Sequence, residues 1–136
     1  MSAPFTHRLR VRYVECDMQG HVFAAHYYTW MDIAHTALWQ ATLGPYTDFT
    51  ARGLDFVVAE SGARFRAGAH FDDEVEIAVA LDPLTTSSMT SRYTMSRDGE
   101  VLTEGWLRHV CVDPGEMAKR PWPDDVRAAL ASHVAE

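Results

Sequence analysis

One run constrains the fold more than any other. From about Ala24 to Leu43 the chain reads as a single long helix, stopped by Gly44-Pro45. Its apolar stripe is Tyr27, Trp30, Met31, Ala34, Ala37, Leu38 and Ala41, at helical spacing. Ile33 and Trp39 fall off that stripe, so apolar contact is needed on more than one side. A helix of this kind must be wrapped by something with a broad apolar face.

The remaining runs supply that face. Phe5, His7, Leu9, Val11 and Tyr13 alternate with Arg8, Arg10 and Arg12, which predicts a strand over Phe5 to Val14. The three arginines read as a solvated or edge-protecting face, or as a phosphate-binding stripe. Pro45 to Leu54 reads as a loop holding a short helical turn. Four strands follow. Phe56–Phe65 is interrupted by Ser61-Gly62, a sign of a bulge or a close backbone approach. Glu74–Leu81 turns Val75, Ile77, Val79 and Leu81 inward, and Ser88–Ser96 alternates Met89, Ser91, Tyr93 and Met95 with polar residues. Asp98-Gly99 marks a hairpin into the long strand Val101–Val112. After Pro121-Trp122-Pro123, Asp124 or Asp125 can cap a short helix running to about His133. The order predicts an α+β fold, a curved antiparallel sheet around one long central helix, as a single domain over residues 1–136. One sheet edge stays open, so at least a homodimer is expected.

Composition narrows the function. The chain has 136 residues and a formal net charge of −7, which argues against nucleic acid as a partner. Cys16 and Cys111 have no metal-ligand spacing and read as free thiols of a reducing compartment. Met1-Ser2-Ala3-Pro4-Phe5 has no signal-peptide pattern, and no apolar run is long enough to cross a membrane. A cytoplasmic protein without membrane partners is expected.

Chemistry concentrates where the first strand meets the long helix, from Arg12 to Trp30. Asp17, Gly20 and His21 lie between the two elements, and Gly20 punctuates a sharp turn. No Ser, Thr, Asp or Asn stands immediately before Ala24, so the first helical amides lack a side-chain cap. Water or a ligand oxygen must serve them, and the positive end of the helix dipole favours negative charge there. Glu15 reads as a solvated charge at a strand end. His21 is either a second acid–base group or a loop histidine. His26 and His35 read as satisfied core or surface residues, and Tyr13 as a buried strand tyrosine or a partner of the carboxylate.

Tyr13-Val14-Glu15-Cys16-Asp17-Met18-Gln19-Gly20-His21-Val22, followed by Tyr27, Trp30 and Asp32, resembles the hotdog-fold acyl-CoA thioesterases, in particular the 4-hydroxybenzoyl-CoA thioesterase family. A second block, Phe56 to Phe65 and on to Phe71-Asp72-Asp73-Glu74-Val75, is similar as well. The resemblance implies a hotdog fold and hydrolysis of an acyl- or aroyl-CoA to acid and free CoA. Asp17 would be general base or nucleophile and the Ala24 amide would polarise the carbonyl; His21 is a catalytic candidate by its own acid–base reading, while Phe23-Ala24, where relatives with Gly-His-Val commonly continue Asn-Asn, departs from the histidine- or asparagine-assisted variants. Gly20, Val22, Tyr27, Trp30, Asp32, Glu60 and Ser61 would contact substrate, the last two across a subunit interface. Arg64, Arg66, Lys119 and Arg120 would be candidates for the CoA phosphates. No metal and no cofactor is implied, CoA being part of the substrate, and a homodimer or homotetramer is. The chain departs from relatives that carry a histidine or tyrosine at Ala24, so only the backbone donor transfers.

Two other functions fit the same residues: release of a polyketide or fatty acyl chain from a carrier protein, and non-catalytic acyl binding. A hydratase would want an Asp-and-His pair at the helix, which the sequence lacks.

Overall fold

The computed structural model describes residues 4–135; Met1, Ser2 and Ala3 of the N-terminal stretch read above lie outside the described residues. Helix α1 (Ala24–Leu43) is the spine. Around it curls one antiparallel sheet made from β1 (Phe5–Arg10), β2 (Asp55–Phe65), β3 (Glu74–Leu81), β4 (Ser88–Arg97) and β5 (Glu100–Asp113), in the spatial order β1-β3-β4-β5-β2. A two-residue strand, β6 (Ala118–Lys119), pairs with the end of β5 and had no signal in the sequence. Two short helices, α2 (Tyr46–Thr50) and α3 (Asp124–Leu130), close the C-terminal end of α1. This is the hotdog arrangement, and the class is α+β.

Alternation decides which face of the sheet meets the helix. In β3, Val75, Ile77, Val79 and Leu81 are fully buried, while Glu74 is exposed. In β4, Met89, Ser91, Tyr93 and Met95 point the same way. Asp98 and Gly99 have φ of 50° and 81°, the two left-handed residues of a tight hairpin between β4 and β5. On α1 the buried residues are Tyr27, Trp30, Met31, Ala34, His35, Leu38 and Trp39. The expected stripe therefore drifts. Ala41 is exposed, and His35 and Trp39 take its place, because α2 and the start of β2 bring Phe49 and Phe56 against that side.

Several expectations need correction. Strand β1 ends at Arg10 rather than Val14, because Val11 turns to bond Asp72 and Asp73 and Tyr13–Glu15 forms a 3-10 turn. Tyr13 is thus not a buried strand residue: it is 80% exposed, edge-on to Phe71. The register irregularity in β2 lies between Val58 and Glu60. Gly62 is instead the site of close approach, since a Cβ there would stand 2.1 Å from the Trp106 ring. Asp125 does not cap α3; both its oxygens accept from Arg52, at 2.8 and 2.9 Å, and Pro123 precedes the helix.

Two polar features interrupt the apolar core. Glu15, read from sequence as a solvated charge, is only 3% exposed. Its carboxylate accepts from the Trp30 indole at 2.9 Å and from the Arg12 amide at 2.8 Å, with the Arg12 guanidinium 3.4 Å away. Burial alone would raise its pKa, but these hydrogen bonds and the arginine charge outweigh burial and lower it. The second feature is a pair of stacked imidazoles, His35 and His109, with ring centres 4.1 Å apart. Burial lowers the His35 pKa to about 3, with His109 adding to the effect, and lowers that of His109 to about 4.

Both features generate measurable consequences. Replacing Glu15 with Ala leaves the Trp30 and Arg12 N–H groups without a partner, and should cost about 2–4 kcal/mol in urea unfolding. Glu15→Gln keeps an acceptor oxygen and should lose clearly less. The histidines act through pH. Below about pH 6.5 the unfolded chain protonates them while the folded chain holds them neutral, so the unfolded state binds more protons. Their contribution is intact above that pH and is lost towards pH 4, at up to about 1.4 kcal/mol per pH unit for each. Melting temperature should therefore fall less steeply from pH 6.5 to 4.5 in His35→Phe/His109→Phe than in the wild type.

Candidate active site

The junction between β1 and α1 is built by backbone bonds in a fixed sequence. After the 3-10 turn, Cys16 and Val22 form an antiparallel bridge. Between them the chain reverses: Asp17 N donates to His21 O at 2.8 Å, and Gly20 N donates to Asp17 O at 3.0 Å. Gly20 has φ of 82°, which explains a glycine at this place and gives it a turn-forming role on the exposed tip. The Gln19 amide donates to Asp17 Oδ1 at 2.9 Å, so the carboxylate is oriented through one oxygen. Its Oδ2 accepts no hydrogen bond from any described residue.

The loop is then fastened at three points. Val22 N bonds Ala69 O at 2.9 Å, Phe23 N bonds Glu15 O at 2.9 Å, and His26 N bonds Phe23 O at 2.9 Å. Phe23 precedes the helix and contributes no side-chain cap. The amides of Ala24 and Ala25 consequently have no hydrogen-bond partner among the described residues. Two donors at the positive end of a 20-residue helix are thus left for something outside the chain.

Asp17, Ala24 and His21 share one cavity of about 440 Å³, together with Val22, Tyr27, Phe65 and Arg66. Val22 and Tyr27 form its buried wall. Tyr27 also belongs to the core: its hydroxyl accepts from the Ala69 amide at 3.0 Å and its ring meets Trp30 and Phe65 edge-on. His21 stands over Gly68, with the His70 ring centre 5.0 Å away. Arg66 reaches the rim and is ion-paired with Glu104.

The other residues singled out from sequence lie elsewhere. Trp30 does not line this cavity; it is fully enclosed and spends its indole N–H on Glu15, so it holds the loop rather than a ligand. Asp32 is exposed two turns further along α1 and lines a different cavity with His35 and His109. Glu60 and Ser61 are exposed on β2, which pairs with β5 alone. Arg64 faces a groove with Arg92 and Trp106. Lys119 and Arg120 sit at the far end of β5, where Lys119 pairs with Val112 and Arg120 with Asp113. Phe65 on the cavity pairs with Thr103, nine strand residues or roughly 30 Å from Val112, so these two cations are remote from Asp17 within one chain. Sequence reasoning missed Glu15 as the loop's anchor; the signal available was a tryptophan fifteen residues on, at the buried helix face. It also missed His109.

No helix among the described residues is long and apolar enough to cross a membrane, and none of their His, Cys, Asp and Glu side chains cluster as a metal site would.

A carboxylate and the free Ala24 amide on one cavity, with the Ala25 amide next along the helix start, are groups of the kind that attack on a carbonyl requires. The protein comparisons agree with that chemistry. The model of the thioesterase-like superfamily matches residues 11–130. Protein TT1821 of Thermus thermophilus superposes with a TM-score of 0.87 at 33% identity, over 94% of this chain and 98% of its own. The gentisyl-coenzyme A thioesterase BH1999 superposes at 0.85 with 27% identity, over 93% and 100%. A 1,4-dihydroxy-2-naphthoyl-CoA thioesterase from Synechocystis shares the fold at 0.86 with 19% identity, over 93% and 94%. With the family matched along nearly its whole length and the fold shared throughout, the chain belongs to the thioesterase-like superfamily and is a hotdog-fold thioesterase.

Proposed function

We propose that the protein hydrolyses an acyl- or aroyl-CoA thioester, with Asp17 and the amides of Ala24 and Ala25 as its catalytic groups. The observation that carries this is the cavity shared by Asp17, an oriented carboxylate with one unengaged oxygen, and Ala24, whose helix-terminal amide, like that of Ala25 beside it, has no partner among the described residues. The thioester carbonyl oxygen would sit on the two amides, which hold the negative charge that develops during attack. As general base, Asp17 takes a proton from water as the water oxygen bonds to the carbonyl carbon. The C–S bond then breaks, and the proton passes to the departing thiolate. As nucleophile, Asp17 would bond to the carbonyl carbon first, expelling the thiolate and leaving an anhydride for water to cleave. Either course needs only water as co-reactant. Arg66 is the cation on this cavity available to the CoA phosphates, its charge partly offset by Glu104, while Arg64 lines the separate groove with Arg92 and Trp106.

The working unit in this reading is at least a dimer joined along β2. That strand has eleven residues, one sheet neighbour, and exposed Val58 and Phe65 on its surface. A two-fold axis at its middle would pair it with its own copy, antiparallel, and extend the sheet through both subunits. The Phe65 end, beside Asp17, then meets the Asp55 end of the second copy, and Glu60 and Ser61 lie at the junction. The carrier-protein reading shares all of this chemistry and differs only in what bears the acyl group.

Three outcomes check the proposal. Asp17→Asn keeps the oxygen that accepts from Gln19, so it should fold normally while thiol release from CoA esters drops roughly 10²–10⁴-fold; a rate within a few-fold of wild type would remove Asp17 from the mechanism. Ser61→Asp adds negative charge beside the two Glu60 side chains that meet at the two-fold axis, and should yield a monomer in sedimentation with at least about tenfold lower activity. Turnover of carrier-bound thioesters in clear preference to CoA esters would move the assignment to the carrier-protein reading.

A further inference from the structure

A second cavity, of about 320 Å³, opens beside the middle of α1, away from Asp17 within one chain. Its size is near the lower end of the range for ligand sites, roughly 300–1,000 Å³, and suits one or two rings rather than a long chain. Three aromatic side chains, Trp39, Tyr46 and Phe56, give it flat apolar walls. Its other inner surface is the stacked pair His35 and His109, 2% and 3% exposed. Asp32 stands at the exposed mouth.

The polar groups here are unusual for a core. Neither imidazole makes a hydrogen bond through either nitrogen to any described residue. Among the described residues five buried side-chain polar atoms lack a partner, and three of them, on His35, Trp39 and His109, belong to residues lining this one cavity. Each such group is destabilising if nothing ever meets it. An apolar core at this place would be served better by phenylalanine, which already occupies positions 49 and 56 beside it. The concentration of unmet donors and acceptors around one apolar cavity suits recognition of a polar group on a bound ligand.

Resting on the thioesterase reading above, we propose that His35 and His109 form the specificity pocket for the distal end of the acyl group, a flat apolar moiety bearing an uncharged hydroxyl or carbonyl oxygen that the two imidazoles hydrogen-bond. Both rings are neutral at ordinary pH, so each offers one N–H donor and one acceptor nitrogen. Trp39 can only donate. A hydroxyl, which donates and accepts, uses this set fully. A carboxylate would find no cation here and would pass the Asp32 charge on entry. The pocket is adjacent to the start of β2, whose Phe56 and Val58 line it. Antiparallel pairing of two β2 edges would bring it opposite the Asp17 cavity of the second copy, so one subunit would select the acyl group that the other hydrolyses.

The test uses three CoA esters with the same ring: unsubstituted, with a distal hydroxyl, and with a distal carboxylate. The wild type should turn over the hydroxylated ester with kcat/KM roughly 10²-fold or more above the other two. In His35→Phe/His109→Phe the preference should collapse to within a few-fold, mainly through loss on the hydroxylated ester. An unchanged preference in the folded variant, or a wild type favouring either of the other esters, overturns the proposal. A second readout does not need the variant to fold or the enzyme to turn over. The ¹⁵N side-chain resonances of His35 and His109 in the wild-type protein should shift with 4-hydroxyphenylacetate and stay put with phenylacetate. Shifts without hydrolysis of any thioester would uphold the pocket and reject the thioesterase mechanism. Hydrolysis with neither selectivity nor shifts would do the reverse.

Discussion

The bond from the Trp30 indole to Glu15 ties the Asp17 loop to the rest of the molecule. Trp30 is locked into the core by the helix that the sheet wraps, and Glu15 is drawn in after it. Once Glu15 is buried, its carbonyl receives the Phe23 amide, and the chain is obliged to turn back through Asp17 to Gly20. Two acids two residues apart then have opposite fates. Glu15 is enclosed and fully engaged, while Asp17 is half-buried and held by a single amide. Environment rather than residue type separates the structural carboxylate from the one proposed to react.

A pattern runs through the polar groups that the fold does not satisfy. In most cores nearly every buried donor finds an acceptor within the chain. Here, besides Thr103 and Trp122, the buried exceptions among the described residues gather on His35, Trp39 and His109 around one cavity; the uncapped start of α1 and the outer edge of β2 add exposed backbone groups with no partner among the described residues. Each is a place where a thioester, a second subunit or an acyl group would bring the missing partner. The short helices at the C-terminal end of α1 are tied down by their own bonds, including the paired oxygens of Asp125 on Arg52. In the proposed reading, the chain tolerates open valences where something is to be bound.

Much of the fold was legible because it rests on periodicity. The alternation in β3 and β4, the Asp98-Gly99 hairpin and the long apolar helix each have a local cause that sequence displays. The position of Asp17 and the uncapped helix start were legible for the same reason, as both follow from nearby residues. What escaped depends on contacts between distant positions. Glu15 looks like any strand-end acid until Trp30 closes over it fifteen residues later. Tyr13 alternates correctly for a strand, yet the bonds of Val11 to Asp72 and Asp73 end the ladder before it. Lys119 and Arg120 are attractive phosphate ligands by type, and only the register of β5 shows how far along the sheet they lie.

His35 and His109 are the clearest case of that limit. They stand on a helix and a strand separated by 74 residues, and neither is marked by its neighbours. On the helix, position 35 lies one turn beyond Met31 and one turn before Trp39, which makes any residue there buried whatever its polarity. A histidine in that place is carried inward by the hydrophobic effect acting on the residues around it, at a cost that rises as the solution becomes acidic. The neutral state that makes burial tolerable is also the state in which an imidazole can both give and receive a hydrogen bond. Stability and recognition therefore ask the same thing of this pair, that it remain uncharged, and the apolar walls around it serve both.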